Sequence, residues 1–401
     1  MIATIAYLLA VVLCASRGVL EYLIGKDAAY LIQVGGIVGL LVWYISPTAI
    51  AAYFRDEGRL SFGFLVGMLF STGLSIVATL ALTGELGPSY LFVFIFTLFI
   101  YFYTISNYQK RFVRPRVAYA GLVLIALIEA AVALAQQQNV FPIDLPGATY
   151  GFDNLRAPSL TGSYLHYPLF VAIAASLCGV DYLVRKNVLS GLACAVLSFA
   201  IFSALSRSGM LIILGTFGLA FVQAPIQFIT RNAKLIVATV FATMAIMIFG
   251  VAVSSQNDSV VNVGTERLVG ATDLQSDGND GRAEAWEKAK SLVLPVNVIA
   301  GTYFGLVTNS APEPVKQEFG VVESSVLQQI LNIGLMGAIF YYGVLISVTK
   351  LASSASRISL CVWAALFQTL FYQSIEVIPF LFILMTLPVF DYVGGPRPNS
   401  T

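Results

Sequence analysis

Long apolar runs separated by short polar breaks dominate the chain. The runs are continuous rather than alternating, which favours membrane-spanning helices over the strands of a β-barrel. A spanning helix needs about 20 apolar residues, and the pattern predicts an all-α polytopic membrane protein with about twelve such helices. The predicted spans are 2–20, 28–46, 60–82, 89–108, 117–135, 164–182, 188–206, 209–227, 235–253, 323–348, 358–375 and 377–393.

One long polar loop divides the predicted spans into three parts. Residues 1–253 hold nine spans, 254–322 form the large loop, and 323–401 hold the last three spans and a tail. Loops of this length are usually functional or disordered. The stretch Ala283–Leu294 has a helical pattern with Asp280 as a plausible N-cap, so we expect part of the loop to be ordered.

The composition agrees with membrane embedding. Hydrophobic residues make up 58% of the 401 and charged residues 11%, whereas a soluble domain carries about 25% charged residues. Too few charged side chains are present to cover a water-exposed surface of this size, so most of the surface must face lipid. A soluble enzyme, a nucleic-acid-binding protein and a disordered chain are therefore excluded.

The distribution of Lys and Arg predicts the orientation, because short cytoplasmic loops carry an excess of them. With both termini inside, four Lys or Arg lie in the short outward segments, and these are Arg17, Lys26, Arg156 and Arg207. Thirteen lie in the inward segments, and these are Arg55, Arg59, Lys110, Arg111, Arg114, Arg116, Arg185, Lys186, Arg231, Lys234, Lys350, Arg357 and Arg397. We therefore expect cytoplasmic termini and an outward large loop.

Two of the outward arginines lie in settings that suit anion binding. Arg207 stands between Ser206 and Ser208 at a predicted outward hairpin, where its guanidinium could bind a phosphate through two hydrogen bonds. Arg282 begins the predicted loop helix, where the positive helix end disfavours a cation unless an anion is near. A membrane-interface anchor for Arg207 and a local pairing of Arg282 with Asp280 or Glu284 are the alternatives.

Carboxylates and one imidazole supply the candidate proton acceptors. Glu323 stands where the large loop enters the next span, a suitable place for a general base or for ordinary helix N-terminal charge. Glu129 and Glu376 lie near the outer ends of their spans and are expected to face the protein interior. His166 is the only histidine, and without a second His or a Cys partner it does not indicate a metal site.

Four short motifs occur in an order that resembles the bacterial O-antigen ligase and polymerase superfamily. The stretches are RAPSLTGSYLHYP (156–168), SRSG (206–209), GRAEAW followed by NVIAGTYFG (281–286 and 297–305), and ESSVLQQILNIGLMG (323–337). They resemble that family's R…G-x-F…P segment, its SR[GS] hairpin, its GR…W…NPLFGxGxG loop and its HNxxLQ…GLLG span entrance. The resemblance covers about residues 150 to 340.

The resemblance implies a GT-C-like fold and a Wzy-type polysaccharide polymerase in the bacterial inner membrane, with the active site facing the periplasm. Its substrates would be oligosaccharide repeat units on undecaprenyl pyrophosphate, and a chain-length regulator is an implied partner. No cofactor or metal is expected. On this hypothesis Arg207 and Arg282 bind the pyrophosphate with support from Arg156, while Glu323, or less readily His166, accepts a proton.

Two alternatives stay open. Ligases of the family carry a histidine at the loop-to-span junction, where this chain has Glu323, so a ligase that moves glycan onto lipid A-core fits less well than a polymerase. A twelve-span transporter or lipid-linked oligosaccharide flippase would show paired broken helices or repeat symmetry, with ionisable residues near the bilayer midplane.

The orientation can be tested with reporter fusions. Because Thr83 follows an outward-directed predicted span, alkaline phosphatase fused after Thr83 should be active. The same enzyme fused after Lys110 should be inactive, since that residue lies in an inward basic segment. The reverse pattern of activities would contradict the orientation.

Overall fold

The computed structural model describes residues 1–138, 156–223, 280–309, 311, 313–352 and 357–394. These residues form α-helices, short 3₁₀ turns and irregular loops, and no β-strand occurs among them. The predicted all-helical architecture is therefore confirmed for this part of the chain. The predicted span 235–253 lies outside the described residues.

Fifteen α-helices are present in the described residues. In chain order they are α1 (Ile2–Ala15), α2 (Arg17–Ile24), α3 (Lys26–Leu41), α4 (Pro47–Asp56), α5 (Arg59–Thr83), α6 (Pro88–Lys110), α7 (Pro115–Gln137), α8 (His166–Arg185), α9 (Val188–Ser203), α10 (Arg207–Val222), α11 (Asp280–Ser291), α12 (Glu313–Phe319), α13 (Ser325–Ser347), α14 (Ile358–Gln368) and α15 (Ile378–Thr386).

The helix lengths support a multi-pass membrane protein. Helices α5, α6, α7, α8 and α13 are long and apolar enough to cross a bilayer. Two consecutive pairs, α1–α2 and α3–α4, are bent by 69° and 76°, and they raise the number of candidate spans to seven if each pair crosses once. Four further apolar helices, α9, α10, α14 and α15, are shorter. Twelve spans therefore remain a prediction.

Three local expectations need correction. The predicted span 2–20 is broken at Ser16, where α1 ends and α2 turns away. Residues Pro47–Asp56, expected to be a loop, form α4, with Pro47 in its first turn and the Ser46 hydroxyl accepting from the Ala49 N–H at 3.3 Å. The loop helix runs Asp280–Ser291 rather than Ala283–Leu294.

Helix α8 is the centre of the bundle. Over an 18-residue stretch of α8, 83% of the residues are buried in protein, against 33% for the same length of α5. Helices α7, α9, α10, α14 and α15 all contact α8. Helix α5 exposes large apolar side chains such as Phe70 and Val77, which are 67% and 66% exposed. The faces that water would not tolerate are thus the ones available to lipid.

Part of the large loop enters the bundle between α5 and α13. The Gly301 N–H donates to the Ser75 hydroxyl at 2.7 Å, and the Phe304 N–H donates to the Thr79 hydroxyl at 3.0 Å. Ser75 lies eight residues before the end of α5, which corresponds to a depth of about 12 Å below that end. Irregular backbone at such depth is tolerated only when protein groups satisfy it, and we call residues 297–305 the re-entrant segment.

A break in α13 receives the other side of the re-entrant segment. Gly334 has a φ of 78° and interrupts the helix, and a Cβ atom there would lie 2.8 Å from the Ala300 nitrogen. The Leu331 carbonyl accepts from the N–H groups of Thr302 and Tyr303 at 3.0 and 3.1 Å. A left-handed conformation and a close backbone approach both require glycine at position 334.

Replacing Thr79 should separate the effect of the re-entrant segment from a general effect on α5. In Thr79→Val the buried Phe304 N–H loses its acceptor, which costs about 1–3 kcal/mol. Thr72→Val is the matched control, because Thr72 is also buried on α5 but its hydroxyl donates within the helix, to the Met68 carbonyl at 2.8 Å. The thermal midpoint in detergent should fall further for Thr79→Val. Equal midpoints for the two variants would contradict this role.

Candidate functional site

We call the beginnings of α2, α8, α10 and α13, together with the loop before α15, the site end. These segments carry Arg17, His166, Arg207, Ser325 and Glu376, and neighbouring segments are connected by the following contacts. A Cβ atom at Gly18 would lie 2.4 Å from Gly162 Cα, so α2 is in backbone contact with the turn before α8. The loop that follows α14 is tied to α13 through the Ser325 hydroxyl, which donates to the Tyr372 carbonyl at 2.8 Å.

Glu129 and Gln136 of α7 hold the turn that precedes α8. They lie two helical turns apart on α7, and both are buried. The Gln136 side-chain oxygen accepts from the Ser159 N–H at 2.8 Å, and the Glu129 carboxyl accepts from the Leu160 N–H at 3.2 Å. The Ser159 hydroxyl donates to the Glu129 carbonyl at 2.7 Å. Glu129 therefore faces the protein interior in the structure, as expected, and acts on the backbone of this turn.

His166 and Arg17 are brought together at the beginning of α8. His166 is the first residue of that helix, and its Nδ1 is buried without a hydrogen-bond partner in the described part of the structure. The Arg17 guanidinium lies within electrostatic range of the imidazole. Arg17 also pairs with Glu21 at 2.8 Å and lies 5.9 Å from the centre of the Tyr30 ring. The sequence did not single out Arg17 as a site residue.

Arg156 and Arg207 flank the same region. The Arg156 guanidinium stacks over the Tyr164 ring, 4.4 Å from its centre, a cation–π arrangement that fixes its plane. Arg207 begins α10, and the Ser206 hydroxyl caps that helix by accepting from the Gly209 N–H at 3.3 Å. A Cβ atom at Gly209 would meet the Pro168 carbonyl at 3.2 Å, so the first turns of α10 and α8 are in contact.

The other two predicted residues are only partly placed. Glu323 immediately precedes Ser324, whose hydroxyl caps α13 by accepting from the Leu327 N–H at 3.4 Å. The Glu323 side chain is half-buried. Arg282 lies in the first turn of α11, but its side chain is outside the described part of the structure. The predicted grouping of Arg282 with Arg207 therefore stays a prediction.

Glu376 is a carboxylate at the site end that the sequence marked only as inward-facing. One of its oxygens accepts from the Gln328 side-chain amide, and the other accepts from the Asn309 N–H at 3.1 Å. Burial raises the pKa of Glu376 to about 7, and these hydrogen bonds and the nearby Lys316 only partly offset that effect. Burial thus favours the protonated form of this carboxyl group more strongly than water does.

The helix that holds Glu376 carries three buried side-chain amides. Gln328, Gln329 and Asn332 lie along the first turns of α13 and are fully buried. The side-chain oxygen Oδ1 of Asn332 accepts from the Gly305 N–H at 2.7 Å. The side-chain nitrogen Nδ2 of Asn332 and the side-chain oxygen Oε1 of Gln328 have no hydrogen-bond partner in the described residues. Buried polar groups in this state favour a water or ligand in the native site.

The sequence does contain a signal for Glu376. It is the only charged residue in the stretch between the starts of α14 and α15, and a carboxylate there is costly unless it has partners. Its identity as a site residue depends on Gln328 and Asn309, which are distant in sequence. Among the described residues, no group of three His, Cys, Asp or Glu side chains is arranged to hold a metal ion.

Comparison with known proteins does not provide a family for this chain. No protein-family model matches it, and no curated protein matches it significantly. The functional assignment therefore depends on the geometry of the site end and on the sequence motifs that lie there.

Proposed function

We propose that the protein is a membrane glycosyltransferase that polymerises oligosaccharide repeat units linked to undecaprenyl pyrophosphate. The polymer would be an O-antigen, capsule or exopolysaccharide, made at the periplasmic face of the bacterial inner membrane. The observation that carries the proposal is the contact between the first turns of α8 and α10, which brings the segments of Arg156, His166 and Arg207 together. Glu323 precedes α13, and Gln328 of the same helix holds the buried carboxylate of Glu376.

The reaction needs positive charge on one side and a proton acceptor on the other. A hydroxyl of the acceptor sugar attacks the anomeric carbon of the donor, and the bond from that carbon to the pyrophosphate oxygen breaks. Its electron pair stays on the pyrophosphate, where Arg207 and Arg282, with Arg156, would stabilise the charge. The hydroxyl proton passes to a carboxylate at the site end, Glu323 or Glu376. Direct displacement inverts the anomeric configuration.

Fixed guanidinium groups suit this leaving group. Arg forms two parallel hydrogen bonds with a phosphate and keeps its charge in a partly dry site. The Arg156 guanidinium stacks on the Tyr164 ring, 4.4 Å from its centre, and this stacking orients the guanidinium before substrate binds. The positive charge that a metal ion would otherwise contribute is thus proposed to come from side chains.

A transporter or flippase is the second candidate, and the bent helices favour it. The pairs α1–α2 and α3–α4 are consecutive and broken by 69° and 76°, as in proteins that bind substrates at interrupted helices. However, the bends lie near opposite ends of neighbouring helices. At the first bend Arg17 is already paired with Glu21, and at the second the charged Arg55 and Asp56 are exposed.

Loss of the proposed pyrophosphate ligands should abolish polymer formation. We expect Arg207→Ala and Arg282→Ala each to lower the polymerisation rate about 10²–10³-fold, because charge on the leaving group loses a fixed donor. Glycan gels of cells carrying each variant, with membrane levels checked, measure the effect. Arg55→Ala is the control, since Arg55 is 75% exposed and pairs only with neighbouring Asp56 in the described structure.

The pattern on the gel separates the alternatives. Loss of polymerase leaves single repeat units on the lipid A-core, whereas loss of a ligase removes all decorated core. Unchanged polymer ladders in both Arg207→Ala and Arg282→Ala would show that the pyrophosphate assignment is wrong.

The purified protein should act without a sealed membrane. In detergent micelles we expect it to convert lipid-linked repeat units into longer chains and to release undecaprenyl pyrophosphate, because the reaction needs only donor, acceptor and the site. A flippase cannot yield a product there, since micelles have no second compartment. Chromatography of the lipid and glycan products provides the measurement, and an absence of chain growth would contradict the polymerase proposal.

A further inference from the structure

We propose that Glu376 is the carboxylate that takes the proton from the acceptor sugar hydroxyl, and that Gln328 positions it. This inference deepens the proposed function and rests on it. Glu323 is the competing carboxylate, because it stands at the motif that resembles the family's span entrance.

The geometry of Glu376 fits a proton acceptor. Its carboxyl group is held from two sides, by the Gln328 amide and by the Asn309 N–H at 3.1 Å. A carboxylate has about four lone-pair sites, so these hydrogen bonds orient the group and leave a lone pair to accept from a substrate hydroxyl. A base held by other groups keeps its attacking geometry, as efficient general-base catalysis requires.

The neighbours of Glu376 suit a sugar. The Asn309 amide donates to the Gln373 side-chain oxygen at 2.5 Å, and Asn309 is exposed at the site end. The Gln328 side-chain oxygen is buried and has no hydrogen-bond partner in the described residues, whereas the Gln373 amide acts on the Glu376 carboxyl group itself. One acceptor is thus open beside the carboxyl group, and a sugar hydroxyl can donate to it.

The charge environment keeps Glu376 ready to take up a proton. Among the described residues, Lys316 of α12 is a cation that acts on it, and the phenols of Tyr30, Tyr90 and Tyr341 lie within its electrostatic range. Burial is the largest influence and raises the pKa to about 7. A base with a pKa near the working pH is both largely ionised and strong enough to accept the proton.

The proton balance is simple. As the acceptor oxygen bonds to the anomeric carbon, its proton moves to a Glu376 oxygen, and the departing pyrophosphate carries away the electron pair of the broken bond. The protonated Glu376 then releases its proton to water through the exposed Asn309 side of the site before the next cycle.

The test measures initial rates of the full-length protein with lipid-linked repeat units between pH 5.5 and 8.5. Because the base must be ionised, the wild-type rate should rise with pH, with its midpoint near 7. Glu376→Gln should lower the rate about 10²–10⁴-fold and abolish the pH-dependent rise. Gln328→Leu should retain activity at a reduced rate, because the carboxylate loses an orienting donor. Its pH midpoint should lie higher than that of the wild type, because the lost hydrogen bond lowers the pKa of Glu376. Glu318→Gln is the control, an exposed carboxylate on α12.

The outcomes separate this inference from the proposed function. If the wild-type protein forms polymer and the rate of Glu376→Gln is within threefold of the wild-type rate, Glu376 is not the proton acceptor. The proposed polymerase function would still stand. The same follows if Glu323→Gln, and not Glu376→Gln, removes the pH-dependent rise. If Glu376→Gln lowers the thermal midpoint, the loss of rate could come from unfolding, and Glu376→Asp is then measured instead. An active Glu376→Asp protein with an unchanged pH midpoint would contradict the proposal. A wild-type protein that forms no polymer would instead contradict the proposed function.

Discussion

The need to satisfy backbone polar groups away from water is the constraint on which the rest of the structure depends. The re-entrant segment enters about 12 Å below the end of α5, where an unsatisfied N–H would cost several kcal/mol. Ser75 and Thr79 on one side, and Leu331 and Asn332 on the other, accept its N–H groups. Helices α5 and α13 are thereby joined through hydrogen bonds to the backbone of the re-entrant segment.

The same arrangement determines what stands at the site end. The break at Gly334 turns the first part of α13 toward the re-entrant segment, and this part carries Gln328 and Asn332. Ser325 then ties the beginning of α13 to the loop that carries Glu376, by donating to the Tyr372 carbonyl and accepting from the Ser374 N–H. Glu376 meets Gln328 because Ser325 fixes the beginning of α13 against the loop that carries Glu376. Scaffold and candidate chemistry therefore share one set of hydrogen bonds.

The sequence predicts the helices better than their breaks. An apolar run specifies that a stretch prefers lipid or core, so the long helices follow from hydropathy alone. The bend near Ser16 and the re-entrant segment do not, because distant residues make polar contacts there, Gln33 with the Cys14 carbonyl and Ser75 with the Gly301 N–H. Helix α4 follows from local signals, Pro47 and the Ser46 cap, that hydropathy does not show. The site shows the same division. The sequence motifs mark Arg156, His166 and Glu323, whereas Arg17 and Glu376 acquire their positions from Tyr30, Gln328 and Asn309.

Helix α5 holds the re-entrant segment, and only 33% of an 18-residue stretch of it is buried in protein. Its 25 residues give it a length of about 37 Å, longer than the hydrocarbon core of about 30 Å. A helix of this length adjusts to the bilayer by tilting, and tilting moves Ser75 and Thr79 relative to α13. We therefore expect the acyl-chain length of the surrounding membrane to influence the position of the re-entrant segment, whose Gly305 N–H donates to the Asn332 side chain.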